Sequence, residues 1–202
     1  MSRLFSFSGF CGNISNWDVS NVTDMTSIFT KTYDIKELDL SGWNFSNVTN
    51  ITTMFANSSI EHLHLNNTLG DSLDTAKSAF MGCSDMVELT GIENLITTRN
   101  DVENLTQLFY GCRNIEQFDL SGWDTKNITI FNRVFFGMTA VKEIKGIEKF
   151  DFINAKTIGG ILYNCKELDA DLSNWKLNKA NKTKTTEAFT YVTKIKQNIL
   201  SK

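Results

Sequence analysis

The segment Gly111-Cys112-Arg113-Asn114-Ile115-Glu116-Gln117-Phe118-Asp119-Leu120-Ser121-Gly122-Trp123-Asp124-Thr125-Lys126-Asn127-Ile128-Thr129-Ile130-Phe131-Asn132-Arg133-Val134-Phe135 changes its apolar rhythm halfway along. Ile115, Phe118 and Leu120 follow the apolar-x-x-apolar-x-apolar pattern of a strand that turns its leucine positions inward. Ser121-Gly122 then supplies turn chemistry, because glycine tolerates backbone angles that other residues avoid. Beyond the turn, Ile128, Phe131, Val134 and Phe135 recur three and four apart, as on one face of a helix. Thr129 stands where an N-cap would satisfy free backbone N–H groups, and Thr23 and Thr49 hold the matching places in other units. The segment predicts a unit of strand, turn and short helix.

Working outward, the same unit recurs with a period of about 26 residues, within the range of stacked arrays. Phe29, Phe55, Phe80, Phe109, Phe135, Leu162 and Phe189 close successive apolar clusters, and Trp17, Trp43, Trp123 and Trp175 share one place in the unit. One such unit cannot bury its own apolar face, so neighbours must stack to make a continuous core. The expected fold is an α/β, leucine-rich-repeat-like right-handed solenoid of about seven strand-turn-helix repeats. A parallel sheet lines its inner face, and helices line the outside. Residues 1–189 are expected to form one solenoid with a truncated first repeat, and 190–202 a lysine-rich cap or tail. Two subtypes occur: Leu40-Ser41-Gly42-Trp43 has a tryptophan, whereas Thr90-Gly91-Ile92-Glu93 and Lys145-Gly146-Ile147-Glu148 have none. The third unit, around Leu65 to Phe80, lacks both signatures, and the seventh, Leu168-Asp169-Ala170-Asp171-Leu172, has extra residues in its strand. Irregular geometry is expected there.

A hydrophobic content of 41% and a charged content of 21% fit a folded chain rather than a disordered one. The net charge of −3 predicts no broad attraction to nucleic acid or anionic membrane. No apolar run approaches the roughly 20 residues that span a bilayer, so no membrane insertion is expected. At the start, Ser6, Ser8 and Gly9 interrupt the apolar stretch that an export leader requires, and Phe10 before Cys11 argues against lipid attachment. At the other end, Lys176, Lys179, Lys182, Lys184, Lys194, Lys196 and Lys202 face the single acid Glu187. Residues 188–200 are compatible with a helix carrying Phe189, Val192, Ile195 and Ile199 on one side. This basic end reads first as a cap on the array and second as an arm that docks onto an acidic assembly.

Trp17-Asp18-Val19-Ser20-Asn21-Val22-Thr23-Asp24-Met25 and Leu40-Ser41-Gly42-Trp43-Asn44-Phe45-Ser46-Asn47-Val48-Thr49-Asn50-Ile51 give the chain a family likeness. It resembles the BspA-like leucine-rich-repeat proteins. It is especially similar to the repeat of mycoplasma and Gram-positive surface proteins, which reads like WDTSNVTNM followed by MF and GC. The likeness covers residues 10 to about 189. It implies an α/β solenoid with a role in adhesion or partner binding at a cell or particle surface, hence a cell-surface or secreted location. It brings no catalytic residues, because Trp17, Asn21, Trp43, Asn47, Trp123 and Asn127 look structural. No export leader is read in the sequence, which keeps a virion or the cytoplasm as alternatives.

Cys83, Cys112 and Cys165 share one repeat position and are expected as buried thiols beside glycine, with Cys11 outside that column. A bridge between Cys83 and Cys112 is compatible with their neighbouring units. No Cys-x-x-Cys or close Cys–His pair points to zinc. His62 and His64 alternate on one strand and face the same way, with Glu37 and Asp39 as potential partners on the strand before. The plainer reading is an outward polar pair; the other is a metal site. The whole outward row comprises Glu37, Asp39, His62, His64, Glu88, Gln117, Asp119, Glu143 and Lys145. It is mainly acidic and is the expected surface for a protein or glycan partner. About ten Asn-x-Ser/Thr sequons occur, and turn and cap hydrogen bonds account for them without glycosylation. No nucleophile with a base, phosphate loop or paired-carboxylate site stands outside the repeat pattern, and no cofactor is expected. The leading expectation is a non-catalytic binding or adhesion module. The alternative is a structural subunit of a larger particle, such as a virion or a secreted assembly.

Overall fold

The computed structural model describes residues 1–9, 12–70, 72–97, 101–182 and 185–196. Successive coils stack as a parallel solenoid with little helix. Its face is formed by strands β1 (Glu37–Leu40), β2 (His62–Leu65), β3 (Glu88–Thr90), β4 (Gln117–Asp119) and β5 (Glu143–Lys145). β1, β2 and β3 pair in parallel, as do β4 and β5, while β6 (Asp151–Phe152) and β7 (Lys176–Leu177) make a short pair of their own. Alternation does what the sequence implies: Leu38, Leu40, Leu63, Leu65, Leu89, Phe118 and Ile144 turn into the core. About five coils carry this strand, rather than seven. Leu168–Leu172, the stretch with extra residues, forms no strand and contributes a single bridge, Asp171 to Lys196.

The expected outer helices do not form. Residues 26–31, 52–57, 106–111 and 132–137 instead run as consecutive turns. Ser27, Thr53, Ser78, Gln107 and Arg133 adopt φ between 52° and 57°, which no right-handed helix contains. The backbone hydrogen bonds explain why. Met25, Ser27, Phe29 and Lys31 donate sideways to the carbonyls of Asn50, Thr52, Met54 and Ala56 in the next coil. The residues between them close local turns, Ile28 to Met25 and Thr30 to Ser27. Every N–H of the segment thus finds an acceptor, half of them in a neighbour, as buried backbone requires. The three-and-four apolar spacing survives, because these turns also bring Ile51, Met54 and Phe55, or Phe131, Val134 and Phe135, to one side.

With no helix to cap, the roles anticipated for the threonines change. Thr49 and Thr129 donate their backbone N–H to Thr23 and Glu103 of the preceding coil, and the Thr129 hydroxyl is buried without a partner. The capping-type bond belongs one residue later. Asp24, Asn50 and Asn104 each accept the N–H two residues on, from Thr26, Thr52 and Thr106, at 2.9 Å. Part of the sequon pattern is therefore turn chemistry.

The core is a set of columns. Phe5, Phe29, Phe55, Phe80, Phe109 and Phe135 stack ring upon ring, with neighbouring centroids 5.3 to 5.8 Å apart. Phe5, which lies in residues read only as a truncated repeat, thus extends the column by one coil. Cys83, Cys112 and Cys165 are free thiols, each donating to the carbonyl of a closing phenylalanine in the coil before: Phe55, Phe80 and Phe135. Burial pushes the Cys112 thiol well up and Cys165 up to about 12. Cys11 lies outside the described residues.

The two repeat subtypes correspond to two kinds of junction between coils. Where a glycine follows the strand, the coils seat closely: a side chain at Gly91 would strike the Leu65 carbonyl, and one at Gly146 would reach Ser121. These glycines also hold φ of 81° and 90°, the left-handed region. The ladder is unbroken there, β2 to β3 and β4 to β5. Where a tryptophan follows, the strand ladder has lapsed, and the indole N–H reaches back to a carbonyl of the preceding coil. Trp43 donates to Ile14 before β1, Trp123 to Ile92 between β3 and β4, and Trp175 to Ile147 after β5, at 2.7 to 2.8 Å. The fourth indole, Trp17, is 41% exposed.

At the C-terminal end, helix appears only as the single turns α1 (Lys179–Lys182) and α2 (Thr185–Ala188). The helix anticipated over 188–200 is not present through residue 196; residues 197–202 lie outside the described residues, as does Lys184. Phe189–Val192 form a turn, and Lys196 then exchanges backbone bonds with Ala170 and Leu172, because extending the ladder satisfies both strands' edges.

Candidate functional site

The outward side chains of the five strands form rows set by register. Glu37, His62 and Glu88 lie abreast, as do Asp39, His64 and Thr90; in the second sheet Gln117 lies beside Glu143, and Asp119 beside Lys145. All nine residues read as the outward row therefore stand on the strand face, none of them in the buried class. Thr90, Glu93 and Val87 join them there, and the sequence reading did not single these out. Val87 is 44% exposed, an apolar side chain among acids.

Within the rows, several charges are already committed. Lys145 lies 2.6 Å from Asp119, and that contact, with the Ser121 turn, holds the Asp119 carboxyl at about 2. Asp39 is also held low, by hydrogen bonds from Ser41. Asp39 and Asp119 accept the backbone N–H of Ser41 and Ser121 at 2.9 and 2.8 Å, so each is a turn residue as well as a surface one. His62 Nδ1 sits 3.0 Å from Glu88, and His64 Nδ1 sits 3.0 Å from Thr90. The two histidines face the same way beside Glu37 and Asp39, but the Nδ1 atom of each is directed at β3. Among the described residues, no group of three or more His, Cys, Asp or Glu is arranged to hold a metal ion.

Two grooves cross this face, each at a lapse in the ladder. One, of about 600 Å³, lies beside β1 and is lined by Asn13, Ser15, Glu37, Asp39, His62 and His64 among others. The other, of about 580 Å³, lies over the gap between β3 and β4, and brings together His62, Glu88, Thr90, Glu93, Gln117, Asp119, Glu143 and Lys145. Volumes of this size fall within the range of ligand sites. The side of the molecule formed by the turns bears a second outward column that the sequence reading missed. There Tyr110, Phe136 and Tyr163 stack on one another at 4.9 and 4.5 Å. The signal was available, since each residue directly follows the closing position of its coil.

Stacked coils, one phenylalanine column and a polar strand face in register define a solenoid repeat protein. The chain belongs to the family described as Mycoplasma protein of unknown function, DUF285, whose model matches residues 1–89 and 74–202. No curated protein and no solved structure matches the chain. Among the described residues, no helix is long and apolar enough to cross a membrane.

Proposed function

We propose that the protein is a non-catalytic binding module of the BspA-like leucine-rich-repeat type, which meets a protein or glycan partner through its strand face. The observation that carries this reading is the register: two in-phase rows of outward polar residues, Glu37–His62–Glu88 and Asp39–His64–Thr90, displayed on a backbone that the stacked core holds still. Polar groups fixed on rigid strands lose little entropy on binding, which favours recognition over chemistry. An adhesive role at a cell or particle surface follows from the family likeness and belongs to the same proposal. The particle-subunit reading has less support, because Lys194 of the proposed docking arm is spent on Glu167 at 2.6 Å within the chain.

The test is capture of peptides and glycans on arrays by the intact chain and by a Glu37→Lys, Glu88→Lys, Glu143→Lys triple variant. These three glutamates are exposed and hold no turn, so the variant is expected to unfold at the wild-type midpoint while losing capture. Undiminished capture by the folded variant would refute the strand-face reading.

A further inference from the structure

We infer that His62 and His64 hold a divalent transition-metal ion through their Nε2 atoms, in the groove beside β1. Among the described residues the free protein has no preformed cage of three ligands. It has instead two imidazoles whose tautomer, direction and surroundings suit an ion. The tautomer is set from β3. His62 Nδ1 lies 3.0 Å from Glu88 Oε2, and a carboxylate only accepts, so the hydrogen sits on Nδ1. In the neutral ring the lone pair is then on Nε2. A carboxylate behind one ring nitrogen orients metal-binding imidazoles and makes the other nitrogen the better donor. His64 repeats the arrangement with the Thr90 hydroxyl at 3.0 Å, which accepts from the same tautomer. Among the described residues neither Nε2 is engaged in a hydrogen bond.

Direction follows from the strand. His62 and His64 are alternate residues of β2, so they rise from one face roughly 6.6 Å apart at the backbone. With each Nδ1 turned to β3, each Nε2 lies on the far side of its ring. On that side is the groove of about 600 Å³ that both histidines line together with Glu37 and Asp39. Two nitrogens bound to one tetrahedral ion at about 2.0–2.1 Å stand roughly 3.3 Å apart, so each ring has to lean toward the other by roughly 1.6 Å. Both rings are half-buried, and the broad χ2 well of histidine allows that swing. The surroundings are anionic. Asp39 is engaged at Ser41, whereas Glu37 makes no hydrogen bond or ion pair among the described residues and can turn in as a third ligand. Among the described residues lining this groove there is no lysine or arginine to repel a cation. Two imidazoles with one carboxylate select zinc, copper(II) or nickel(II) over magnesium and calcium, which take oxygen donors. Water fills the remaining positions, as in open zinc sites.

The experiment titrates the untagged, isotope-labelled full chain, first stripped with a chelator, with zinc chloride and separately with magnesium chloride. Calorimetry is expected to give one zinc per chain. The imidazole nitrogen resonances should move at Nε2 of both histidines while each Nδ1 keeps its hydrogen, and magnesium should move neither. His62→Gln and His64→Gln, at half-buried surface positions, should each keep the metal-free unfolding midpoint and weaken zinc at least tenfold. Zinc should raise the midpoint of the wild type and of neither variant. Glu88→Ala, which removes the carboxylate behind His62 without touching the ion, should weaken zinc by about tenfold. No zinc bound, full affinity in either histidine variant, a shift at Nδ1 in place of Nε2, or equal binding of magnesium overturns the inference. Each of those results leaves the strand-face reading standing, because capture of a peptide or glycan is measured with chelator present.

Discussion

Asp119 does two jobs within one side chain, and acid separates them. One carboxylate oxygen closes the turn at Ser121, and the other pairs with Lys145. Its folded value of about 2 lies below the ordinary 3.8, so the ionised form supports the folded state. That contribution is complete above about pH 4 and disappears as the pH falls toward 2. Asp119→Asn keeps an oxygen for the turn, as Asn50 and Asn104 do elsewhere, but removes the charge. Thermal unfolding should therefore show the wild type more stable than the variant at pH 7, with the gap closing by pH 2. A gap that persists at pH 2 would mean that the ion pair is not its source. The sequence exposed Asp119 as an outward residue by alternation alone. Its turn bond was not legible from that pattern, because Asp at a strand end and Asp in a turn look identical until the backbone angle is known.

At the scale of the element, a tryptophan after the strand coincides with a lapse in the ladder to the preceding coil. The sequence showed both subtypes; what they meant was visible only in the stack. Trp123 is buried, and its N–H satisfies the Ile92 carbonyl at 2.8 Å. Trp123→Phe removes the indole bond and leaves that carbonyl to the Leu95 N–H alone, a loss of about 0.5–1.5 kcal/mol for one hydrogen bond. Urea unfolding should show this loss, and hydrogen exchange should quicken in β3 and β4 while β1 and β2 keep their protection. Trp17→Phe, at an exposed indole, serves as the comparison and should be close to neutral. If both variants lose the same stability, the indole bond is not what closes the junction.

Across the whole molecule, each coil rests on its neighbours alone, so a core residue is worth what the adjoining coils make of it. Phe80 lies between Phe55 and Phe109, both stacked on it, whereas Phe7 is 68% exposed with Lys31 over its ring. Phe80→Ala is expected to cost about 3–5 kcal/mol, the usual range for a buried phenylalanine. Phe7→Ala should cost clearly less, because its ring lies largely in water. Equal losses in denaturant titrations would contradict a stack held by its phenylalanine column. The sequence by itself determined the period, the columns of Phe, Cys and Trp, the strands of five coils and the row of outward polar residues, because side-chain alternation and burial are local consequences of spacing. It did not determine the conformation of the outer half of each unit. Apolar residues three and four apart suit a helix when the unit is considered alone, since only a helix then satisfies its N–H groups. In the stack, the next coil offers carbonyls to every second N–H. Those inter-coil bonds offset the roughly 1–2 kcal/mol that each left-handed residue such as Ser27 or Arg133 costs, and the helix gives way to turns.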